Sequence, residues 1–331
     1  MRAHAVAHSN IALVKYWGKR PDGAADLNLP AVSSLSMTLD DLRTETTVEP
    51  GDTDSFTLDG VAHGDSMAGK VFAHLDRVWS ATGRAGTRPP CRVTSVNHLP
   101  TAAGLASSAS GFAALTLASA GAFGLEAPPK ALSQLARRGS GSAARSLWGG
   151  FVRLHRGGAP DGHDCYAEPV APATHWDVRL LVVHTARGAK PVGSTGGMER
   201  SRQTSPYYGA WVDTSERDVE DGLQALLNRD LAVLGGIVEH SCFKMHACMF
   251  ATRPPLVYWN GATLDVVHAV WRLRDEAGLA GYVTSDAGPH VKVLCAADDA
   301  AALGAQLAKV AGVVEVQTVA PGPDARLEVQ A

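Results

Sequence analysis

The sequence predicts an α+β chain in two domains, and three observations predict it. Its 331 residues exceed what one hydrophobic core usually organises. Strand-like and helix-like segments follow one another in mixed order rather than as a clean βαβ repeat. A polar, glycine-rich stretch over residues 186–206 is long enough to be a functional loop or a domain junction. The expected boundary falls there, giving domains 1–186 and 187–331.

Taken in order, residues 10–20 (NIALVKYWGKR) read as a strand end running into a turn at Gly18. In such a strand Lys15 points opposite to Tyr16, and Lys19 lies on the turn. Stretches 20–26, 50–66 and 156–164 read as loops. Cys91–Val96 is a strand that leads through Asn97–His98–Leu99–Pro100 into a turn and a small-residue helix. Pro128–Pro129 closes that helical region. Lys130–Arg138 is a short helix, followed by a Gly/Ser turn over Gly139–Ser142. Val178–Val183 has the unbroken apolar character of a buried strand. Ser215 to about Thr252 is mostly helical, as two helices meeting near Gly235–Gly236. Thr263 is the expected N-cap of a helix whose face carries Leu264, Val267, Val270 and Trp271 and which stops at Gly278. A strand from Tyr282, a turn Asp286–Pro289, a strand through Val291–Leu294 and a helix over Asp298–Ala311 complete the chain.

Composition narrows the function classes. Hydrophobic residues make up 45% and charged residues 19%, with a net charge of −3. No global basic field recruits nucleic acid or an anionic membrane, so an acidic substrate must be held by local Lys and Arg clusters. Apolar runs are too short to span a bilayer. Cys91, Cys165, Cys242, Cys248 and Cys295 are scattered and odd in number, which points to a reducing compartment and hence the cytoplasm.

The chemistry concentrates in four segments. Pro100–Gly111 joins a turn to a helix start rich in hydroxyls and free amides, a suitable cradle for phosphate. Gly104 permits close backbone approach, and Ser107 and Ser108 can donate from the first turn. No Lys follows Gly111, so this is not a Walker loop. Lys15, Tyr16, Trp17, Lys19 and Arg20 could bind an acidic substrate, or could be the solvated end of a strand. Gly139–Ser146 superficially matches a dinucleotide fingerprint, but a helix precedes it. A Ser-rich turn followed by Arg145 suits phosphate or carboxylate, and Ser140 or Ser142 can also cap a helix. Asp286 is either an Asx-turn residue or, if these clusters converge on it, a candidate base. His240, Cys242, His246 and Cys248 do not share one helix face, so core and surface roles are expected rather than metal ligation.

Together these segments resemble the GHMP kinase superfamily and, within it, the diphosphomevalonate decarboxylases. Asn10–Arg20 is similar to the family's N-I-A-x-x-K-Y-W-G-K-R signature, and Asn28–Leu29–Pro30 with Ser33–Ser36 to its N-L-P-x-x-S-S-x-S segment. Pro100–Ser108 resembles the P-x-x-x-G-L-x-S-S phosphate loop, Gly139–Gly150 resembles G-S-G-S-A-C-R-S-x-x-G-G, and Ser285–Pro289 resembles the D-A-G-P turn. The resemblance implies a ribosomal protein S5 domain 2-like N-terminal domain, a ferredoxin-like C-terminal domain, a cleft between them, and a homodimer. It also implies a reaction in which ATP with Mg²⁺ phosphorylates the 3-hydroxyl of mevalonate 5-diphosphate. Loss of phosphate and carbon dioxide then gives isopentenyl diphosphate.

By the same similarity Asp286 orients or deprotonates that hydroxyl and Arg145 grips the substrate carboxylate. Tyr16, Lys19, Ser140 and Ser142 hold the diphosphate, and Lys15 stands near the transferring phosphate. Ala103, Gly104, Leu105, Ala106, Ser107 and Ser108 cradle ATP, and Ser194 is a further substrate or phosphate contact. The chain departs from the pattern at four places. Ala144 replaces a usual Cys, Gly193 a common Ser, His98 an Asn before the phosphate loop, and His290 an Asn after Pro289. The competing readings are a related 3-kinase, a decarboxylase of the monophosphate, and a non-catalytic binder of nucleotides or phosphorylated metabolites. Intact Lys15, Lys19, Arg145 and Asp286 argue for catalysis on the diphosphate.

Overall fold

The structure, a computed structural model, describes residues 1–64, 66–98, 107–188 and 192–330. The chain opens with β1 (Arg2–Val14), followed by β2 (Ser34–Pro50), β3 (Ser55–Leu58) and β4 (Val61–His63). Helix α1 (Ser66–Ala81), β5 (Cys91–His98), α2 (Ser107–Phe123) and α3 (Pro129–Gly139) come next. A 3-10 stretch, Gly141–Leu147, leads into β6 (Phe151–Leu154), β7 (Ala167–Ala171) and β8 (Val178–His184). Four helices follow: α4 (Ser194–Thr204), α5 (Tyr208–Leu227), α6 (Leu231–Phe250) and α7 (Gly261–Ala277). The chain finishes with β9 (Tyr282–Ser285), β10 (Val291–Ala296), α8 (Ala297–Leu307), β11 (Glu315–Val319) and β12 (Arg326–Gln330).

Among the described residues these strands form two sheets. One has eight strands in the order β12-β1-β2-β5-β3-β4, with β6 and β7 joined through β2, and the other has the order β11-β8-β10-β9. β8 pairs in the second sheet although it precedes residue 186, and β12 returns to the first sheet beside β1. The α+β class predicted from the mixed order of elements is what the chain adopts. A shared apolar core joins the sheets: Ile11, Leu13, Leu35 and Met37 meet Leu180, Val182 and Leu294, with Val219, Leu226, Leu234 and Val238 from α5 and α6 packed between. Both helices bury one apolar stripe there, a larger stabilisation than intrinsic helix propensity supplies.

Several local expectations need correction. Residues 50–66 are not all loop, because β3 and β4 form a hairpin through Asp59 and Gly60, both with positive φ. Asp-Gly between apolar segments is the signal for that turn. Residues 186–206 contain the helix α4. Helices α5 and α6 meet at residues 228–230, where Arg229 is left-handed and the Asp230 carboxylate caps α6 by accepting from the Val233 N–H at 3.0 Å. Gly235 lies inside α6, where the Tyr282 ring covers it and leaves no room for a Cβ. Asn260, not Thr263, is the N-cap of α7. Thr263 is the third helical residue, and the two side chains form a reciprocal capping box. Val267 and Val270 are buried in α7 while Leu264 faces solvent. The last helix ends at Leu307, short of Ala311.

Candidate active site

A cleft of about 670 Å³ opens between the two sheets, lined by Tyr16, Lys19, Ser108, Arg145, Asp286 and Lys292 among others. β1 delivers its first residues. The β1–β2 register shifts between His8 and Asn10 and again between Ala12 and Val14, irregularities that bend the strand beside the cleft. The strand ends at Val14, so Lys15 leaves the pleat. Its backbone N–H donates to Ser241 Oγ on α6 at 2.9 Å, and its side chain is 1% exposed. Gly18 turns the chain at φ 98°, a left-handed conformation suited to glycine.

Asp286 follows β9 at the floor of the cleft. Oδ1 accepts from Lys15 Nζ at 2.7 Å and Oδ2 from Lys292 Nζ at 3.2 Å. The turn around it is fastened at both ends. The Ser285 N–H donates to Cys242 Sγ at 3.1 Å, and Ser285 Oγ donates to the His290 carbonyl at 3.1 Å. Thr185 Oγ1 and Thr263 Oγ1 each donate to the Pro289 carbonyl at 2.7 Å. Burial pushes the Asp286 carboxyl up, but Lys15 and Lys292 outweigh it and hold the group well below the usual carboxylate range. The side chain is still 40% exposed to the cleft, so its open edge can meet a ligand.

Arg145, on the 3-10 stretch, is buried without a carboxylate among the described residues. Its Nε donates to Asn10 Oδ1 at 3.0 Å and one terminal nitrogen to Ser34 Oγ at 2.8 Å. Burial pulls it down to about 10, so it stays cationic at neutral pH. The Tyr16 hydroxyl is buried with no hydrogen-bond partner among the described residues, and the Tyr16 ring lies against Arg145 and Gly141. Burial raises its pKa, so it is a neutral donor. Lys19 is partly buried, which lowers its pKa against the opposing pull of Glu199. The hydroxyls of Ser108, Ser140 and Ser142 form a row, 3.4 Å and 3.3 Å apart. Ser140 occupies the cap position between α3 and the 3-10 stretch, but its side chain makes no capping bond. Ser194 begins α4 at the cleft wall.

The structure thus brings Tyr16, Lys19, Ser108, Ser140, Ser142, Arg145, Ser194 and Asp286 to the lining of one cleft, with Lys15 buried behind Asp286. For Lys15 it excludes the alternative of a solvated strand end. Ala103, Gly104, Leu105 and Ala106 lie outside the described residues, as does the Ser107 side chain. Of the four departures, Ala144 is fully buried and Gly193 caps α4. His98 pairs with Glu45 at 3.0 Å. His290 lines the cleft and accepts the Thr185 N–H at Nδ1 over 3.2 Å. Cys242 and His246 are not inert core residues, since each reaches the backbone of Ser285. Sequence reasoning missed Lys292, whose signal was a lysine inside the apolar run Val291–Leu294. It also missed Asn10 and Ser34 as anchors of Arg145, a pairing that only the fold creates.

No set of three or more His, Cys, Asp or Glu side chains among the described residues could hold a metal ion. Magnesium characteristically keeps phosphate and water ligands with one or two protein oxygens. The serine hydroxyl row beside the cations fits an ion carried in on phosphates.

Two family models cover the chain: a diphosphomevalonate decarboxylase-like N-terminal domain over residues 7–167 and a mevalonate 5-diphosphate decarboxylase C-terminal domain over residues 179–325. Diphosphomevalonate decarboxylase ERG19 of Gibberella zeae is 39% identical over 90% of this chain and 82% of its own length. The human diphosphomevalonate decarboxylase is 36% identical over 88% and 76%. Mevalonate diphosphate decarboxylase from Staphylococcus aureus superposes with a TM-score of 0.91 at 33% identity, covering 99% and 98% of the two chains. A solved complex of MDDEF with MVAPP, AMPPCP and magnesium gives 0.90 at 37% identity, over 100% and 99%. From its first strand to its last sheet, this chain belongs to the diphosphomevalonate decarboxylase family.

Proposed function

We propose that this chain carries out the ATP-dependent decarboxylation of mevalonate 5-diphosphate, yielding isopentenyl diphosphate, ADP, phosphate and carbon dioxide. One observation carries the reading: a carboxylate held between two buried lysines at the floor of a cleft whose other buried cation, Arg145, has only neutral partners. Buried charges are normally paired, so such a site is built for an anionic ligand.

The substrate carboxylate completes Arg145, whose position Asn10 and Ser34 fix in advance. The diphosphate takes the Tyr16 hydroxyl, Lys19 and the Ser140/Ser142 turn, and Ser194 closes against it. ATP phosphates lie at residues 103–108, where Ser108 offers its hydroxyl. Ser108 would help to hold magnesium on those phosphates, and the ion would supply neutralisation of charge on the transferring group.

Asp286 accepts a hydrogen bond from the 3-hydroxyl and points a lone pair of that oxygen at the phosphorus; as the O–P bond forms and the bond to ADP breaks, the hydroxyl proton becomes strongly acidic and leaves by way of Asp286 to solvent, restoring the anion. A carboxylate this acidic is a weak base, so its main contribution is orientation and electrostatics. Once phosphate replaces hydroxide as the leaving group, its departure builds positive charge at C3, which the Asp286 anion stabilises. The electrons of the carboxylate bond at C2 then form the double bond as carbon dioxide leaves.

The proposal includes residues 1–186 and 187–331 as the two functional domains, and a cytoplasmic homodimer. The five cysteines, all unpaired and buried, support a reducing compartment, and no described helix is long and apolar enough to cross a membrane. The test is to supply Mg-ATP with mevalonate, its 5-phosphate or its 5-diphosphate and to measure ADP and carbon dioxide together. Equal amounts of both products from the diphosphate are expected. ADP without carbon dioxide from every substrate would make the chain a kinase, and no turnover would make it a binder.

A further inference from the structure

The charges beneath the cleft do not balance. Lys15, Lys292 and Arg145 are all nearly inaccessible, and among the described residues Asp286 is the only carboxylate paired with any of them. Lys292 is the unexpected member. It is the second residue of β10, opposite Thr284 on β9 and Val182 on β8, on a strand otherwise made of Val291, Val293, Leu294, Cys295 and Ala296. A lysine there is costly to bury. Its one ion-pair partner among the described residues is Asp286 Oδ2, whereas Lys15 holds Oδ1. The two ammonium groups therefore divide the carboxylate, one oxygen each, and leave its exposed edge to the cleft.

This division has a chemical consequence. The family resemblance implies that Lys15 stands near the transferring phosphoryl group, and an ammonium that turns to a phosphate weakens its hold on Oδ1. Without Lys292 the carboxylate would then have no paired cation, and it would take up a proton more readily. Resting on that reading of the reaction, we propose that Lys292 is a positioning residue. It keeps the second oxygen of Asp286 fixed and the carboxylate anionic while Lys15 is engaged with phosphate. Lys292 borders the cleft with a side chain only 5% exposed and turned to Asp286, so in this proposal it acts through that carboxylate.

Among the described residues, the other charged or titratable groups around Asp286 and Lys292 are Arg145 on the 3-10 stretch, Tyr16 beyond Lys15, Cys242 and His246 on α6, His290 on the same turn, and His184 on β8, whose ring packs on His290. Burial raises the Cys242 thiol and pulls His246 down to about 3, so neither gains charge between pH 5 and 8. Neither can substitute for a missing ammonium.

The experiment needs no substrate in its first arm. The Asp286 carboxyl is followed by carbon-13 NMR in Lys15→Met, which imitates a disengaged Lys15, and in Lys15→Met/Lys292→Met, with Asp286→Asn identifying the signal. Lys15→Met is expected to keep the carboxyl ionised between pH 5 and 8. In the double variant its midpoint should rise by about 1–3 pH units relative to Lys15→Met. Coincident titrations in the two variants would overturn the proposal.

The second arm measures kcat and KM against pH. Lys292→Met should raise the acid limb of kcat by about 1–3 pH units with little change in either KM, while Lys292→Arg keeps the wild-type limb. A fall in kcat at all pH values with an unmoved limb, or the same limb in both variants, would overturn it. If the wild-type chain releases no carbon dioxide, the proposed function fails, and the carboxyl titration still judges Lys292.

Discussion

Replacing Asp286 by Asn removes one charge while preserving shape, and the geometry around it fixes what should follow. An amide has one acceptor oxygen and one donor NH₂ group. It can satisfy Lys15 or Lys292, at present 2.7 Å and 3.2 Å from the two carboxylate oxygens, but it must turn its NH₂ toward the other ammonium. Breaking a fully buried ion pair costs about 3–5 kcal/mol. Because the Asp286 side chain is 40% exposed, solvent reduces that to about 1–3 kcal/mol. The effect on catalysis is larger. Losing a group that orients a hydroxyl and faces developing charge lowers turnover by about 10²–10⁴-fold, or about 3–5 kcal/mol of barrier. ATP affinity should hold to within about threefold, because in this reading the nucleotide phosphates bind at the start of α2 and a factor of three is about 0.65 kcal/mol. Calorimetric titration of ATP, with ADP and carbon dioxide release measured on the same preparation, provides the comparison. A loss of ATP affinity as steep as the loss of turnover, or a turnover within tenfold of wild type, would refute the role given to Asp286.

Three other substitutions or conditions test separate parts of the site. Tyr16→Phe removes a buried hydroxyl that has no partner, so the ligand-free protein should gain about 1 kcal/mol by urea unfolding while KM for the diphosphate substrate rises; a loss of stability would mean that the hydroxyl is already satisfied. Gly235→Ala drives a methyl group into the Tyr282 ring, which should cost about 1–3 kcal/mol and lower kcat by displacing β9 and the turn after it. Normal kcat in a destabilised variant would show that the turn tolerates the shift. His74 and His246 are both pulled down to about 3 by burial, so each is neutral in the fold and protonates more readily when unfolded. Their contribution is complete above the unfolded value near 6.5 and is lost as pH falls from there toward 3; equal unfolding free energies at pH 7.5 and pH 5 would contradict this.

How much of this was legible in the sequence depends on the distance over which each feature is decided. Turns and strands set by neighbouring residues read well. The left-handed glycine at 18 and the apolar strand at Val178–His184 needed nothing beyond their own windows. Boundaries decided by tertiary contact did not. Gly235–Gly236 looks like a break, yet the first glycine is there because an aromatic ring from another strand lies on it. Thr263 looks like a cap, yet Asn260 three residues earlier takes that place and leaves Thr263 to tie the helix to Pro289. The site residues named from sequence came from motifs, each of which had an ordinary structural alternative. Lys292 had no motif, and its meaning emerged only from the 3.2 Å contact with a residue six positions earlier.

Helix α6 supplies adjacent side chains to Lys15 and to the residue that precedes its partner Asp286: Ser241 accepts from the backbone of Lys15, and Cys242 accepts from the backbone of Ser285. Lys15 comes from the strand that opens the first sheet and Asp286 from the end of the second, 271 positions apart in the chain. A single peptide link therefore acts as the gauge between them. Both segments are referred to the same turn of helix. With their backbones on a common reference, passing the Lys15 ammonium from Asp286 to a phosphate is a matter of side-chain rotation alone, and it asks no movement of one sheet against the other.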